Sequence, residues 1–331
     1  MGQIWRVSWG RAGALTRSVA ALSLAAGLLV AAIACGGSDA TKVDLDKRTD
    51  LPAVRGADDV ERASAPPPVR IAITGLLTPT ETLTGYAGLL AYLEQELGRP
   101  LELVQRGTYA ELNALMQAGE LDVALVCPFP YVQGHRAFGM ELLAAAVHRD
   151  QAAHYSYLVV PADSDVASLE DLRGKTFAFS DPNSHSGWLA PAYELALMGE
   201  TQDSFFGRYV FTYHHSESVR AVADHLVDGA AVDSLIYDYL ASTDPELIAR
   251  TRMIAEWGPY PSPPFVVRPD LDLALKERLR QLLVSMSDDP RGREVLNKLQ
   301  LDGFAAIQDE AYDQVREMEA RVSAAAATAR R

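Results

Sequence analysis

Between Phe179 and Pro191 the chain reads Phe179-Ser180-Asp181-Pro182-Asn183-Ser184-His185-Ser186-Gly187-Trp188-Leu189-Ala190-Pro191. Small polar residues in this order suit the binding of an anion. Lys175 to Phe179 reads as a short buried strand, and Trp188 to Met198 carries apolar residues at helical spacing. A strand that feeds a helix through such residues exposes unpaired backbone N–H groups at the positive end of the helix dipole. Ser184 and Ser186 add hydroxyls, Gly187 permits close backbone approach, and Asp181-Pro182 sets the turn. The same residues also suit an ordinary strand–turn–helix junction with a serine N-cap.

Other chemistries find less support. His214 and His215 are adjacent, but neighbours on a loop rarely chelate together, and no H-x-x-x-H or C-x-x-C lies nearby, so no metal site is expected. No Walker motif or G-x-G-x-x-G marks a cofactor. Ser184, Ser186, His185, His215 and Asp233 can be drawn as a triad, but no G-x-S-x-G elbow or acid–His–Ser order supports an enzyme. The net charge of −14 and pI of about 4.9 argue against nucleic acid.

The elements that must position these residues alternate. Val69–Ile73 reads as a strand, followed by a threonine-rich loop from Thr74 to Thr84. Gly85–Leu97 reads as a helix with Tyr86, Leu89, Leu90 and Leu93 on one face, stopped by Gly98. Leu101–Val104 is a second strand. Thr108 and Glu111 form a capping box for a helix from about Tyr109 to Gln117. Leu121–Val126 is a nearly continuous apolar strand, which suits a parallel sheet covered on both faces. It runs into Cys127-Pro128-Phe129-Pro130-Tyr131, read as a loop at a strand's carboxyl end, where such sheets bind ligands. Further strands are read at Ala144–Val147, Tyr155–Val160, Tyr209–Tyr213 and Ala230–Leu235. Val219–Val227 reads as a helix with Val219, Val222, Ala223 and Leu226 on one face. Helices are expected at Leu271–Met286 and Arg291–Leu299, and a peripheral one at Glu310–Ala327.

Asp181 to Gly187, with Pro191 four residues on, resembles the D-P-x-S-x-S-G-x-x-x-P signature of the phosphonate-binding family. These proteins are the periplasmic substrate-binding components of phosphate/phosphite/phosphonate ABC transporters. Leu121 to Tyr131 is similar to that family's V-D-V-A-x-x-G-P-x-x-Y segment, with Cys127 in place of glycine. Thr108-Tyr109 resembles its T-Y or D-Y pair, and Val232-Asp233-Ser234 its A-V-D-S segment. His215 matches a histidine that the family often carries beside the ligand. Leu169 to Phe177 resembles the L-x-D-L-x-G-K-x-x-x-F run of many solute-binding proteins. The likeness extends from about Val69 to about Asp302.

The resemblance implies an α/β, two-lobe periplasmic-binding-protein-like fold of type 2 with the ligand cleft between lobes. Residues 69–160 plus 262–331 form the first lobe and 161–261 the second. It implies a site from Tyr109, Cys127, Tyr131, Asn183, Ser184, His185, Ser186, Gly187, His215 and Asp233, with no cofactor. Asp233 either meets a cationic group on the ligand or accepts hydrogen bonds from loop N–H groups. The implied partners are a small oxyanion and an ABC transporter permease.

Residues 1–35 read as an export signal. Arg6, Arg11 and Arg17 precede an apolar run from Ser18 to Ala34, and Ala32-Ile33-Ala34-Cys35 resembles a lipobox that would make Cys35 a lipidated N-terminus. Alanine stands where the lipobox usually has leucine. An uncleaved N-terminal anchor is the other reading. Residues 36–68 lack an apolar period and read as a tether reaching about 30 Å. The expected location is the periplasm or cell surface, at a membrane.

With Cys35 lipidated, Cys127 is a lone thiol in an oxidising compartment. It either fills the glycine site as a small hydrophobe or acts as a soft ligand. A branch of the same family senses arsenite through a cysteine and signals to a histidine kinase. An arsenite- or oxyanion-sensing protein with Cys127 as ligand is therefore the alternative function.

Overall fold

The computed structural model describes residues 66–73 and 75–329. The signal segment, Cys35 and most of the tether lie outside the described residues; Pro66 to Pro68 have no regular structure. Among the described residues no helix is long and apolar enough to cross a membrane.

Eleven strands form two sheets. The elements of the first half are β1 Val69–Ile73, α1 Pro79–Leu97, β2 Leu101–Leu103, α2 Tyr109–Gln117, β3 Val123–Leu125, α3 Pro128–Phe138 and β4 Glu141–Val147. The middle comprises β5 Ala153–Pro161, β6 Thr176–Phe179, α4 Ala190–Leu197, α5 Gln202–Phe205, β7 Arg208–Phe211, α6 His215–Ala223, β8 Gly229–Asp233, α7 Ser234–Thr243, α8 Pro245–Ala249 and β9 Thr251–Pro261. The chain closes with β10 Pro264–Val267, α9 Leu273–Val284, α10 Pro290–Lys298, β11 Gly303–Ala305 and α11 Asp313–Ala329.

The first sheet has the order β11-β4-β10-β3-β1-β2 and the second β7-β6-β8-β5-β9. As the β/α alternation predicts, β1 runs parallel to β2 and β3. The sheet is not wholly parallel, because β10 returns from the second sheet and inserts antiparallel between β3 and β4. In the second sheet β6 is parallel to β7 and β8, while β5 runs antiparallel to β8 and β9. The chain therefore crosses between sheets twice, between β4 and β5 and between β9 and β10. The first crossing is earlier than the boundary at residue 160 read from sequence, because β5 belongs to the second sheet.

Several helices start where the sequence suggested loops. Helix α1 begins at Pro79, not Gly85: Thr78 is its N-cap and makes a reciprocal capping box with Glu81. Cys127 to Tyr131 is not a loop. Cys127 is the N-cap of α3, and Pro128 occupies the first turn, where a missing N–H costs nothing. Helix α6 ends at Ala223, so Leu226 is 72% exposed rather than in the core. The segment read as strand to Leu235 turns at Asp233, which caps α7. Helix α11 is not peripheral; Val315 and Met318 are buried, and it lies against α3 and α4.

Each sheet is covered by apolar helix faces. Tyr86, Leu89 and Leu93 of α1 are buried with Ile71 and Val123, as their spacing predicts. Asp122 fixes one end of the first sheet. Its carboxylate accepts from Arg70 Nη2 at 2.8 Å and Nε at 3.1 Å, and from Arg268 Nε at 2.9 Å. Burial would raise the Asp122 pKa, but these hydrogen bonds outweigh it and hold the group below its ordinary value.

Asp122→Asn is expected to cost about 2 kcal/mol of stability at neutral pH. The wild-type advantage is present above the unfolded carboxylate pKa and is lost as pH falls through the depressed folded value. Urea unfolding of both proteins at neutral and strongly acid pH checks this; equal stability at neutral pH contradicts it.

Candidate ligand site

The predicted residues gather at the carboxyl ends of parallel strands. Strand β6 ends at Phe179 and enters the serine loop, β7 leads to His215, β8 ends in Asp233 and β3 leads to Cys127. Ser184, His185, Ser186, His215, Asp233 and Cys127 are all fully buried.

The loop is built from its own polar groups. The Asp181 carboxylate accepts from Asn183 N at 2.6 Å and, across to the first sheet's helices, from Tyr109 N at 3.2 Å. Ser184 caps a wide helical turn, His185–Leu189, that runs directly into α4; its Oγ accepts from Gly187 N at 3.0 Å. The helix thus starts three residues before Trp188. A Cβ at Gly187 would overlap Ser180 Oγ and come within 2.8 Å of His215 Cε1, so only glycine lets these elements meet.

His215 and Asp233 fix one another. His215 Nδ1 accepts from Asp233 N at 3.1 Å, so its neutral ring carries the proton on Nε2. Nε2 lies 3.4 Å from Ser184 Oγ. Burial, first of all, lowers the His215 pKa to about 4 despite the Asp233 charge. Asp233 Oδ1 accepts from Leu235 N at 2.9 Å and caps α7, and Oδ2 accepts from Ser186 Oγ at 3.1 Å. A catalytic triad would need His215 Nδ1–H to face a carboxylate; here Nδ1 is an acceptor, and Nε2–H is a donor.

Cys127 points at the serine loop, with Sγ 3.8 Å from Ser184 Oγ and facing the N–H groups of His185 and Ser186. Burial, with the Asp233 charge, raises the thiol pKa to about 11. The Tyr109 hydroxyl lies beside it, buried and, among the described residues, without a well-formed hydrogen bond, its ring against Gly75.

Two predicted residues face elsewhere. The Tyr131 hydroxyl donates to Asp309 at 2.6 Å and its ring packs on Tyr312, because α3 turns that face toward the C-terminal helix. Asn183 is partly exposed and turns back on Asp181. Conversely, sequence reading missed His154 on β5. His154 is fully buried, and its Nε2 is 3.6 Å from Asp233 Oδ2. The available signal was weak: His154 and Ser156 put polar groups on one face of an otherwise apolar strand.

The unpaired polar atoms are concentrated here. Among the described residues, both ring nitrogens of His154 and of His185, the hydroxyls of Tyr109 and Ser180, and that of Ser262 at the second crossing are buried without a well-formed hydrogen bond. Each such group costs about 1–3 kcal/mol. Among the described residues, no buried lysine or arginine lies on the serine loop or on the strands and helices that meet it. The cluster therefore offers neutral donors, the bare nitrogens of neutral imidazoles and one carboxylate, a set that can meet an anion in a dry site.

Across the site's edge, Glu81 of α1 accepts from Ser216 Oγ at 2.7 Å and from Arg220 Nη2 at 2.6 Å, both on α6.

A family model described as ABC transporter, phosphonate, periplasmic substrate-binding protein matches residues 71–312. The chain belongs to this phosphonate-binding family. It is 28% identical over 222 residues to the phosphonates-binding periplasmic protein of Escherichia coli, covering 66% of this chain and 65% of that protein. It is 30% identical over 198 residues to a phosphate-import protein of Mycolicibacterium smegmatis, covering 56% of this chain and 62% of the relative. The matches span just under two thirds of these curated relatives' length. Among solved structures, a binding-protein component of an ABC phosphonate transporter from Pseudomonas aeruginosa superposes with a TM-score of 0.74 at 24% identity, covering 78% of this chain and 87% of the other. A Prochlorococcus marinus protein in complex with methylphosphonate gives 0.69 at 16% identity, covering 77% and 98%. The fold of this family member is the two-lobe α/β architecture of type 2 periplasmic binding proteins.

Because His215 is held neutral in the folded protein, the unfolded chain binds more protons below the ordinary histidine pKa of 6.5. Stability is expected to fall as pH drops from 6.5 toward about 4. His215→Asn should make that decline shallower. Denaturant titrations across this range check it, and identical slopes contradict it.

Proposed function

We propose that the chain is a lipid-anchored extracytoplasmic binding protein for a phosphate-, phosphite- or phosphonate-type oxyanion, delivering it to an ABC transporter permease. One observation carries the reading. Ser184, the N–H groups of the serine loop, His215 Nε2–H and the unpartnered Tyr109 hydroxyl converge in a fully buried cluster without lysine or arginine. The names of the curated relatives, one binding phosphonates and one importing phosphate, support the same ligand class. Export and lipidation at Cys35 rest on the sequence. The His215 tautomer, with its Nδ1 accepting from Asp233 N, supports binding rather than triad-type catalysis.

The alternative, arsenite sensing through Cys127, needs a thiolate. Cys127 does face the loop, but its thiol pKa is raised to about 11, which favours the oxyanion reading. The two sheets with their helices are proposed as lobes that close on the ligand by hinge motion at the two crossings.

The Ser184 hydroxyl accepts from Gly187 N and keeps its own proton for a ligand, whereas the Ser186 proton goes to Asp233. Ser184→Ala should therefore weaken oxyanion binding about 10-fold or more, as loss of one hydrogen bond to a charged oxygen predicts. Calorimetry with phosphate, phosphite, methylphosphonate, 2-aminoethylphosphonate and arsenite tests both readings. Unchanged affinity in the alanine variant removes the loop from the site, and arsenite as the sole binder would favour the sensor. Small-angle scattering should show a smaller radius of gyration with ligand; identical curves at saturation would count against closure.

A further inference from the structure

We propose that His154 and His185 are ligand contacts that select an oxyanion still carrying an O–H. The proposal deepens the oxyanion reading and rests on it.

The two rings come from different elements and meet in the core. His154 lies near the start of β5, where Ser156 is in register with Asp233 of β8. His185 is the first residue of the turn after Ser184. Their ring centroids are 5.4 Å apart in an edge-to-face arrangement, and His185 meets Tyr260 in the same way at 4.5 Å. Neither ring is exposed; His154 lies by the Tyr260 and Pro261 backbone and 3.6 Å from Asp233 Oδ2, yet among the described residues none of the four nitrogens has a well-formed hydrogen bond. Two adjacent imidazoles in this condition are a liability for folding alone, because each lost its water without a well-formed hydrogen bond in return. Burial keeps both neutral, His185 well below its ordinary pKa and His154 below it despite Asp233.

A neutral imidazole has one N–H and one bare nitrogen. The side of the cluster formed by His154, His185 and Asp233 Oδ2 therefore holds two bare ring nitrogens and a carboxylate oxygen able to accept from a ligand O–H, while Ser184 and the serine-loop N–H groups supply donors. A tetrahedral oxyanion fits both sides when some oxygens are bare and one bears a proton. Hydrogen phosphate and a hydrogen phosphonate meet that requirement. Sulfate has no proton to give and would set its oxygens against Asp233, an unpaired-acceptor clash of the kind that discriminates strongly.

The test uses the mature, unlipidated protein with His154→Phe and His154→Leu, which keep an apolar side chain in the same space. A structural histidine loses stability on either change. A histidine held for ligand should give the opposite: an apo Tm raised by about 2 °C or more in at least one variant, with methylphosphonate and phosphate affinity reduced 10-fold or more. Wild type should bind these probes at least 100-fold more tightly than sulfate, and the variants should narrow that ratio. A fall in apo Tm in both variants, unchanged affinity for methylphosphonate, or sulfate bound as tightly as phosphate overturns the proposal. A wild type that answers to none of phosphate, phosphite or methylphosphonate overturns the oxyanion reading instead; the apo Tm arm then still decides whether the histidines are structural.

Discussion

Asp233 is the group on which the site depends. It ends β8, caps α7, receives the Ser186 hydroxyl and, through its own N–H, sets the tautomer of His215. A carboxylate with no exposure is tolerable only when its oxygens are hydrogen-bonded. Each of those bonds fixes another element: the helix behind it, the loop beside it and, by way of its backbone, the neighbouring helix. Ser186 is thereby withdrawn from direct donation, and Ser184 is left as the hydroxyl with a proton to offer. The free proton of Ser184 and the carboxylate oxygen that faces β5 both follow from this one residue.

The same geometry differs from that of a catalytic triad. The residues sketch a serine–histidine–aspartate set, but their connections run the wrong way round for proton abstraction. His215 meets the backbone of Asp233, not its carboxylate, and so presents N–H toward Ser184. What would be a general base in a hydrolase is a fixed donor here. A dry site of neutral donors can hold an anion firmly without a lysine or arginine, which is consistent with an acidic chain of net charge −14.

Much of this was legible in the sequence because the serine loop joins two strong local signals, a strand and a helix, with residue types that serve no packing purpose. The alternation of elements gave the parallel core of the first sheet. The errors share a cause. Thr78-Pro79 and Cys127-Pro128 look like loop chemistry, yet proline in a first helical turn is compatible with either outcome until the cap is seen. Tyr131 lies in a segment that matches the family motif, but Asp309, almost two hundred residues away, claims its hydroxyl, and no local pattern reveals that. His154 was invisible for the same reason: its significance comes from Asp233 and His185, which only the second sheet's register brings beside it.

Glu81 has two duties, and its Oε2 serves both. Its carboxylate bonds the backbone N–H and hydroxyl of Thr78 at the start of α1, and it also takes Ser216 and Arg220 of α6. Separating the two sheets would break the second set and leave the first, so α1 keeps its cap throughout. Its Arg220 partner is about one third exposed, which places the pair among surface ion pairs worth no more than about 1 kcal/mol. Such a contact is a clasp rather than a lock: it can be made and released many times without unravelling either helix, and dissolved salt sets how firmly it holds.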